Sequence, residues 1–405
     1  MDNLLFQFNP EFQLKKTPYG GLVFDPQACR TFSINDKAYS FLLDSSTRPV
    51  KLTSVVKRED FRIFAIFRKY RVVTPIVSEN QSSPTTIENL ESFPNTIESV
   101  HFLVTEECNK NCRTCYINHK DRQESSLKQV QNIIDKFCQL KVFQVAIGGG
   151  EPFLRKDILK ILRHIHQKRV IITITTNGSL LNKGILKDIK YMVKSIQLSI
   201  FSHIESEHEH LRYPGSFRQT LRNILMIQKY DIPVAINLLV HPYSYMYLFD
   251  VLNFIRNLQI SRINVIKLKK PSYRLGNAKL DWQEEGYEKL QAILGKFKNK
   301  YPEMKLSVDC SLAKIMRRKG LPFLLSKGIV GCSGGRSFLV VRSNGDIYPC
   351  CFLNSPQFRI GNFLNGNLAN IVQKINSLQG TYPPKFENCS VYEGLDLVRY
   401  YANSQ

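Results

Sequence analysis

The chain lacks the ~18–20 uninterrupted apolar residues that a membrane-spanning helix needs. Its first residues, MDNLLFQFNPEFQLKK, carry Asp2 early and show no basic segment leading into a long apolar stretch, so no secretory signal is expected. Both absences point to a cytoplasmic protein without a membrane partner. Acidic residues are scarce: 34 Asp and Glu stand against 56 Lys and Arg, a formal charge of +22. Such a balance suits either an acidic partner or general solubility. The basic residues are spread along the chain, and none of them builds a basic motif interleaved with aromatics, so nucleic acid is not the expected partner. Cysteine is rare as well, at ten in 405 residues. In a reducing compartment clustered cysteines read as metal ligands or catalytic thiols, not as disulfides. There is no internal repeat, and the single biased tract is SENQSSPTTIENLESFPNT at 78–96.

That tract separates two kinds of sequence. Before it, Gly20-Gly21 between short apolar runs predicts a hairpin with LVFD (22–25) as one strand. INDKAYSFLLD predicts a helix capped by Asn35, with Ala38, Phe41 and Leu42 on one face. DFRIFAIFRKY predicts a second helix, and Val72-Val73 closes the unit. After the tract, β-rich runs alternate with amphipathic stretches. The runs are 99–104, 143–148, 170–176, 195–200, 234–240 and 262–268. Alternation of this kind predicts parallel β/α units, whose active sites gather at the C-terminal ends of the strands. Beyond Tyr301, KLSVD predicts a short strand, and FLVVRSNGDIYPC a hairpin turning at Asn344-Gly345.

The first of the six runs ends in TEECNKNCRTCY, which spaces Cys108, Cys112 and Cys115 as CxxxCxxC. Thiolates suit iron–sulfur clusters or zinc. A structural zinc site takes four protein ligands, and here no fourth stands close. Three thiolates on a [4Fe–4S] cluster would leave one iron open to another ligand.

CxxxCxxC at the end of the first strand of a β/α array, with an aromatic behind it, resembles the radical S-adenosylmethionine (SAM) superfamily over roughly 98–300. Companion motifs stand in order: GGGEP (148–152), TTNG (175–178), QLSIFS (197–202) and HEHLRYPGSF around Arg212. The resemblance implies a [4Fe–4S] cluster on Cys108, Cys112 and Cys115 with SAM on its open iron. It implies cofactor contacts from Tyr116 (adenine), the turn Gly148, Gly149, Gly150 and Glu151 (methionine amino group), Asn177, Ser199 (ribose) and Arg212 (carboxylate). It also implies one-electron reduction of the sulfonium by a donor such as flavodoxin or ferredoxin. A 5′-deoxyadenosyl radical would then abstract a hydrogen atom from the substrate.

Two flanking segments resemble further modules. GCSGGRSFLVVRSNGDIYPCC resembles the start of the auxiliary-cluster modules called SPASM and twitch, the shorter twitch form fitting better. That implies one auxiliary iron–sulfur cluster on Cys332, Cys350 and Cys389. The fourth position would be open or filled by Cys310 or Cys351, and Cys351, if free, would be a catalytic hydrogen-atom donor. Residues 5–77 resemble the PqqD-like recognition element that captures leader peptides of ribosomally made, post-translationally modified peptides (RiPPs). Together these readings predict an α/β protein: a winged-helix-like leader-binding domain (1–77), a linker (78–97), a partial (β/α)6 barrel (98–300) and a small cluster-binding domain (301–405). The expected partner is a precursor peptide with an acidic leader. The expected product is a thioether or carbon–carbon crosslink, with two rivals: epimerisation to a D-residue through Cys351, and action on a small-molecule precursor.

Overall fold

A computed structural model describes residues 5–18, 20–27, 30–51, 58–76, 95–117, 124–268, 284–312, 333–354 and 356–380. The linker at 78–94, Cys29, Cys332 and Cys389 lie outside them. The chain divides into two compact units, residues 1–96 with 139–143, and 97–138 with the chain from 144 onward.

In the first unit the Gly20-Gly21 signal opens a strand. β1 (Leu5–Phe8), β2 (Gln13–Thr17), β3 (Gly20–Asp25) and β4 (Arg30–Ile34) precede α1 (Asp36–Thr47); β5 (Val50–Lys51), α2 (Arg58–Lys69) and β6 (Val73–Ile76) follow. The strands form two antiparallel three-stranded sheets, β2-β3-β4 and β5-β1-β6. Asn35 caps α1 as expected, its side chain accepting from the Ala38 N–H. The apolar positions of both helices meet in one core with Phe6, Phe8, Val23, Ala38, Leu42, Phe64 and Phe67. The ring of Phe6 stands edge-on to Phe64 with centroids 4.7 Å apart. Ile66, on the same helix, stays 51 % exposed.

The second unit follows the alternation read from sequence. β7 (Ser99–Thr105), α3 (Leu127–Gln139), β8 (Gln144–Gly149), α4 (Ile158–Gln167), β9 (Ile171–Thr175), α5 (Lys183–Ile189) and β10 (Ser195–Ile200) lead to α6 (Glu205–Leu211) and α7 (Ser216–Gln228). Then come β11 (Val234–Val240), α8 (Leu248–Asn257), β12 (Arg262–Lys267), α9 (Glu284–Lys300), β13 (Lys305–Val308), β14 (Phe338–Val341), β15 (Asp346–Tyr348), β16 (Gly361–Asn362) and α10 (Leu368–Gly380). All belong to one sheet ordered β13-β12-β11-β10-β9-β8-β7-β14-β15-β16. From β7 to β13 every strand pairs in parallel with the next in sequence, so right-handed crossovers put all the helices on one face and leave the other as the concave wall of an arc. The arc exceeds the six strands expected: β13 adds a parallel seventh, and β14 pairs in parallel with β7 on the opposite side.

Alternation along each strand separates the faces. Val100, Phe102 and Val104 of β7 are fully buried, with Phe102 edge-on to Phe137 of α3 at 5.3 Å. His101 and Leu103 therefore face the concave side. Cys138 is half-buried on the flank of α3, whose buried face is filled by Val130, Ile133, Ile134 and Phe137.

Two histidines of this unit are held neutral. His208 of α6 is fully buried; its Nδ1 accepts from the Phe201 N–H at 3.3 Å, and burial, helped by Arg212, lowers its pKa to about 3. Burial lowers His101 to about 4. Because the folded values lie below the unfolded value, acid favours the unfolded chain, which takes up protons the folded one refuses. Stability should fall as pH drops from about 6.5 toward 4, each histidine costing about 2 kcal/mol at pH 5. Urea midpoints at pH 7.5 and 5 check this, and a His208→Gln variant should lose about 2 kcal/mol less across that interval.

Candidate active site

The site forms where the C-terminal ends of β7, β8, β9 and β10 come together. Just past β7 the chain turns through the cysteine loop, whose Cys108, Cys112 and Cys115 are half-buried and form no disulfide. The Cys115 N–H donates to the Cys112 carbonyl at 3.2 Å, which winds the last two cysteines into one turn. The loop is tied to the GGGEP turn after β8: Gly150 N–H donates to the Thr105 carbonyl at 2.9 Å, and Glu151 N–H to that of Glu107 at 2.7 Å.

Only glycine fits this turn. Gly149 has φ +127°, and a Cβ there would stand 2.0 Å from the Thr105 carbonyl oxygen; one on Gly150 would stand 1.9 Å from that of Glu107. A Cβ on Gly148 would meet the His101 ring at 2.3 Å. The main chain is thus bare where the cysteine loop and the concave face meet.

Glu151 holds these loops from behind. It is fully buried, and its Oε1 accepts from Thr176 Oγ1 at 2.7 Å and from the Phe153 N–H at 3.2 Å, while Oε2 accepts from the Asn177 N–H at 2.7 Å. Burial raises its pKa and these hydrogen bonds oppose the rise. Listed among the cofactor contacts by sequence, Glu151 spends its carboxylate within the protein and orders the GGGEP and TTNG loops. Asn177 does reach the cysteines: its Nδ2 lies 3.8 Å from Cys108 Sγ and donates to Asn109 Oδ1 at 3.0 Å.

Ser199 stands half-buried on β10. Arg212 is buried beneath it; its Nη1 donates to the Ser199 carbonyl at 3.1 Å and to Thr220 Oγ1 at 3.3 Å. Tyr116 sits on the other side of the cysteine loop, its ring 5.4 Å from that of Phe352. It shares a cavity of about 10 Å³ with Cys351, Glu106, Arg342 and Tyr348. Burial above all, with Cys351, Cys115 and Cys350 nearby, pushes the Tyr116 hydroxyl well above its ordinary pKa. Cys350 and Cys351 are half-buried and form no disulfide, and a Cβ on Gly334 would come within 2.8 Å of the Pro349 carbonyl. The structure thereby brings Cys351 beside Tyr116. Cys332 and Cys389, the other expected auxiliary ligands, fall outside the described residues. Cys310 stands at the end of β13, half-buried.

Two ion-paired arginines had no signal in the sequence. Buried Arg155 donates to the Val104 carbonyl at 2.9 Å, to the Ser125 carbonyl at 2.7 Å and to Asp157, bracing β7 against the chain that follows the cysteines. Arg342, just past β14, grips Glu106 with both ends of its guanidinium, Nη2 to Oε2 at 2.7 Å. Nothing in GGGEPFLRKD or VVRSNG sets either arginine apart from its neighbours.

Comparison with known proteins agrees with this geometry. The radical SAM superfamily model matches residues 102–255, and the SPASM iron–sulfur cluster-binding domain matches 332–391. This is a radical SAM enzyme. The C-terminal match is to SPASM, not to the shorter twitch form expected from sequence. Among curated relatives, an AdoMet-dependent heme synthase of Methanosarcina barkeri is 25 % identical over 268 residues, covering 62 % of this chain and 75 % of its own. The mycofactocin maturase MftC of Mycobacterium ulcerans is 25 % identical over 292 residues, covering 69 % and 75 %. Among solved structures, Streptococcus suis SuiB bound to its precursor peptide SuiA superimposes with a TM-score of 0.70 at 15 % identity, covering 96 % of each chain.

The radical SAM domain carries a [4Fe–4S] cluster with SAM, and the SPASM domain implies auxiliary iron–sulfur clusters. The described residues fit the first of these groups. Three soft cysteines, none in a disulfide, lie on one loop at a strand end, beside a backbone turn that no side chain could occupy.

Proposed function

We propose that this radical SAM enzyme matures a ribosomally made precursor peptide, joining a substrate carbon to sulfur or to a second carbon. The observation that carries the reading is the match to SuiB over 96 % of both chains, a protein crystallised with its precursor peptide. The relative named mycofactocin maturase supports the same class.

The first unit supports a leader-binding role. β4 is an edge of its sheet, with β3 on one side only among the described residues. Beside it lies a cavity of about 260 Å³ lined by Phe32, Ile34, Ala38, Ile66, Phe67 and Tyr70. An open strand edge next to an apolar groove suits a peptide that adds as a strand and buries alternate side chains. The chain's +22 charge favours an acidic leader.

In the second unit, Cys108, Cys112 and Cys115 would hold the cluster and Gly148 to Gly150 would offer bare main chain to the cofactor. When bound, the cluster and SAM supply a single electron and a carbon-centred radical able to take a hydrogen atom. Glu151 keeps the two loops in register, and Asn177 links the second of them to Cys108. Cys332, Cys350 and Cys389 would bind the auxiliary cluster.

Co-expression with any short peptide whose reading frame is found beside this chain's gene tests the reading by mass spectrometry. Loss of two hydrogens per linkage is the expected result; an unaltered peptide overturns it. Cys351, placed beside Tyr116 and the cysteine loop, favours a second reading in which its thiol quenches an α-carbon radical to give a D-residue. Under the crosslinking reading a Cys351→Ala variant should form product at a rate within about twofold of the parent, the range that surface-like changes leave. A peptide of unchanged mass that gains a D-residue, and loses it in Cys351→Ala, would replace crosslinking by epimerisation. The heme synthase relative keeps a third reading, a small-molecule substrate, which the same co-expression experiment separates from the first two.

A further inference from the structure

The concave wall carries a row of polar side chains that opens with the first residues of the TTNG and QLSIFS motifs and continues onto strands outside the cofactor loops. Thr175 on β9, Gln197 on β10, Asn237 on β11, Asn264 on β12 and Ser307 on β13 are all half-exposed. Ser307 Oγ donates to Asn264 Oδ1 at 2.8 Å, Asn264 Nδ2 to Asn237 Oδ1 at 3.0 Å, and Asn237 Nδ2 to Gln197 Oε1 at 3.3 Å. Thr175 Oγ1 donates to that same Gln197 oxygen from the far side at 3.3 Å. Here the three amides are assigned with each oxygen turned to the neighbouring donor.

The inventory of donors and acceptors is lopsided. Each amide oxygen accepts from within the row, and Gln197 Oε1 accepts twice. What is left over is mainly N–H: two on Gln197 and one each on Asn237 and Asn264, against one lone pair each on the Asn237 and Asn264 oxygens. A hydrogen-bonded chain of this kind polarises its members, so the leftover donors are strengthened. A second observation points the same way. Thr173 precedes Thr175 on the same face of β9, since Ile172 and Ile174 take the helix side, and it is 5 % exposed with no partner for its Oγ1. A buried hydroxyl without a partner, next to a wall of spare donors, needs a ligand atom to complete it.

We infer that this row is a peptide-backbone reader, binding carbonyl oxygens of the peptide being modified and setting which residue faces the radical. The inference rests on the peptide-maturase reading above. The chemistry favours neutral acceptors: the row contains no lysine or arginine to compensate a buried carboxylate or phosphate. Neighbouring strands stand about 4.8 Å apart, so the donors form a regular ladder suited to repeated acceptors. Peptide carbonyls are neutral, repeated and independent of side chain. Such a wall would position the chain while tolerating varied side chains, as main-chain recognition does elsewhere.

Gln197→Met and Asn264→Asp test this in the full-length, cluster-reconstituted protein. The first removes the spare donors at similar volume; the second keeps the acceptor for Ser307 and removes the donor to Asn237. Visible cluster absorbance reports that each variant folds. The probe is a synthetic copy of a short peptide whose reading frame is found beside the gene and which the parent protein modifies. Its affinity is measured by fluorescence anisotropy and its turnover by mass spectrometry, and SAM affinity is measured separately by equilibrium dialysis. The expected result is roughly 10-fold weaker peptide binding or higher KM, the scale of one lost hydrogen bond in a shielded site. SAM affinity should stay within twofold, and more 5′-deoxyadenosine should be released per peptide modified. Weaker SAM binding with unchanged peptide affinity would assign the row to the cofactor and overturn the proposal. No change in either would make the row a structural strut and overturn it too. If the parent protein itself neither binds nor modifies any such peptide, the maturase reading has failed; if the parent works and both variants match it, the failure belongs to the row alone.

Discussion

A Gly150→Ala variant should lose its iron and cleave SAM roughly 100-fold more slowly, the cost of a displacement near 1 Å at a reacting centre. The methyl group would stand 1.9 Å from the Glu107 carbonyl oxygen, 2.4 Å from its carbon and 2.9 Å from the Cys108 nitrogen. All three are main-chain atoms, so no side chain can swing aside. The chain there is also fixed by the Gly150–Thr105 and Glu151–Glu107 hydrogen bonds, which leave the cysteine loop as the part that must move. Cys108 moves with it, and the three thiols leave the spacing a cluster demands. Iron content, visible charge-transfer absorbance and 5′-deoxyadenosine release should fall together. A Gly215→Ala control meets nothing within 4 Å, although its φ of +75° carries a backbone cost, and it should keep its iron. Full iron content in Gly150→Ala would contradict the argument.

Arg342→Met should destabilise the second unit by about 3–5 kcal/mol, the range found when one partner of a buried ion pair is removed. Glu106 has a side chain 4 % exposed, and without the guanidinium its carboxylate is left charged and dry beside the cysteine loop. The double variant Glu106→Gln with Arg342→Met removes that stranded charge and should recover most of the loss, a coupling that a double-mutant cycle of urea midpoints would measure. A single-variant cost under about 1 kcal/mol would place this pair with solvent-exposed bridges.

Much of this was legible from sequence because it is local. CxxxCxxC, GGGEP and TTNG each lie in one loop, and a strand's period of two or a helix's amphipathic face shows within a dozen residues. The runs at 195–200 and 234–240 coincide with β10 and β11. Asn35 and Asn344-Gly345 announced a cap and a turn through chemistry confined to a few neighbours. What escaped was pairing at long range. The Glu106–Arg342 pair joins residues 236 apart, and the polar row draws one residue from each of five strands. Each of those side chains, read alone, is an unremarked polar residue on a half-exposed strand face. Tyr116 shows the same limit: its ring could be placed next to the cysteines, but Phe352 and Cys351 as its neighbours come from β14 joining the sheet beside β7.

That joining also has a consequence in time. Synthesis runs from the N-terminus at roughly 5–20 residues per second. Glu106 and the cysteine loop leave the ribosome 236 residues ahead of Arg342, an interval on the order of tens of seconds. Until β14 emerges, β7 has β8 on one side and an unfilled ladder on the other. The cysteine loop is therefore made early, while the strand that bears it gains its second ladder only after more than two hundred further residues have been synthesised.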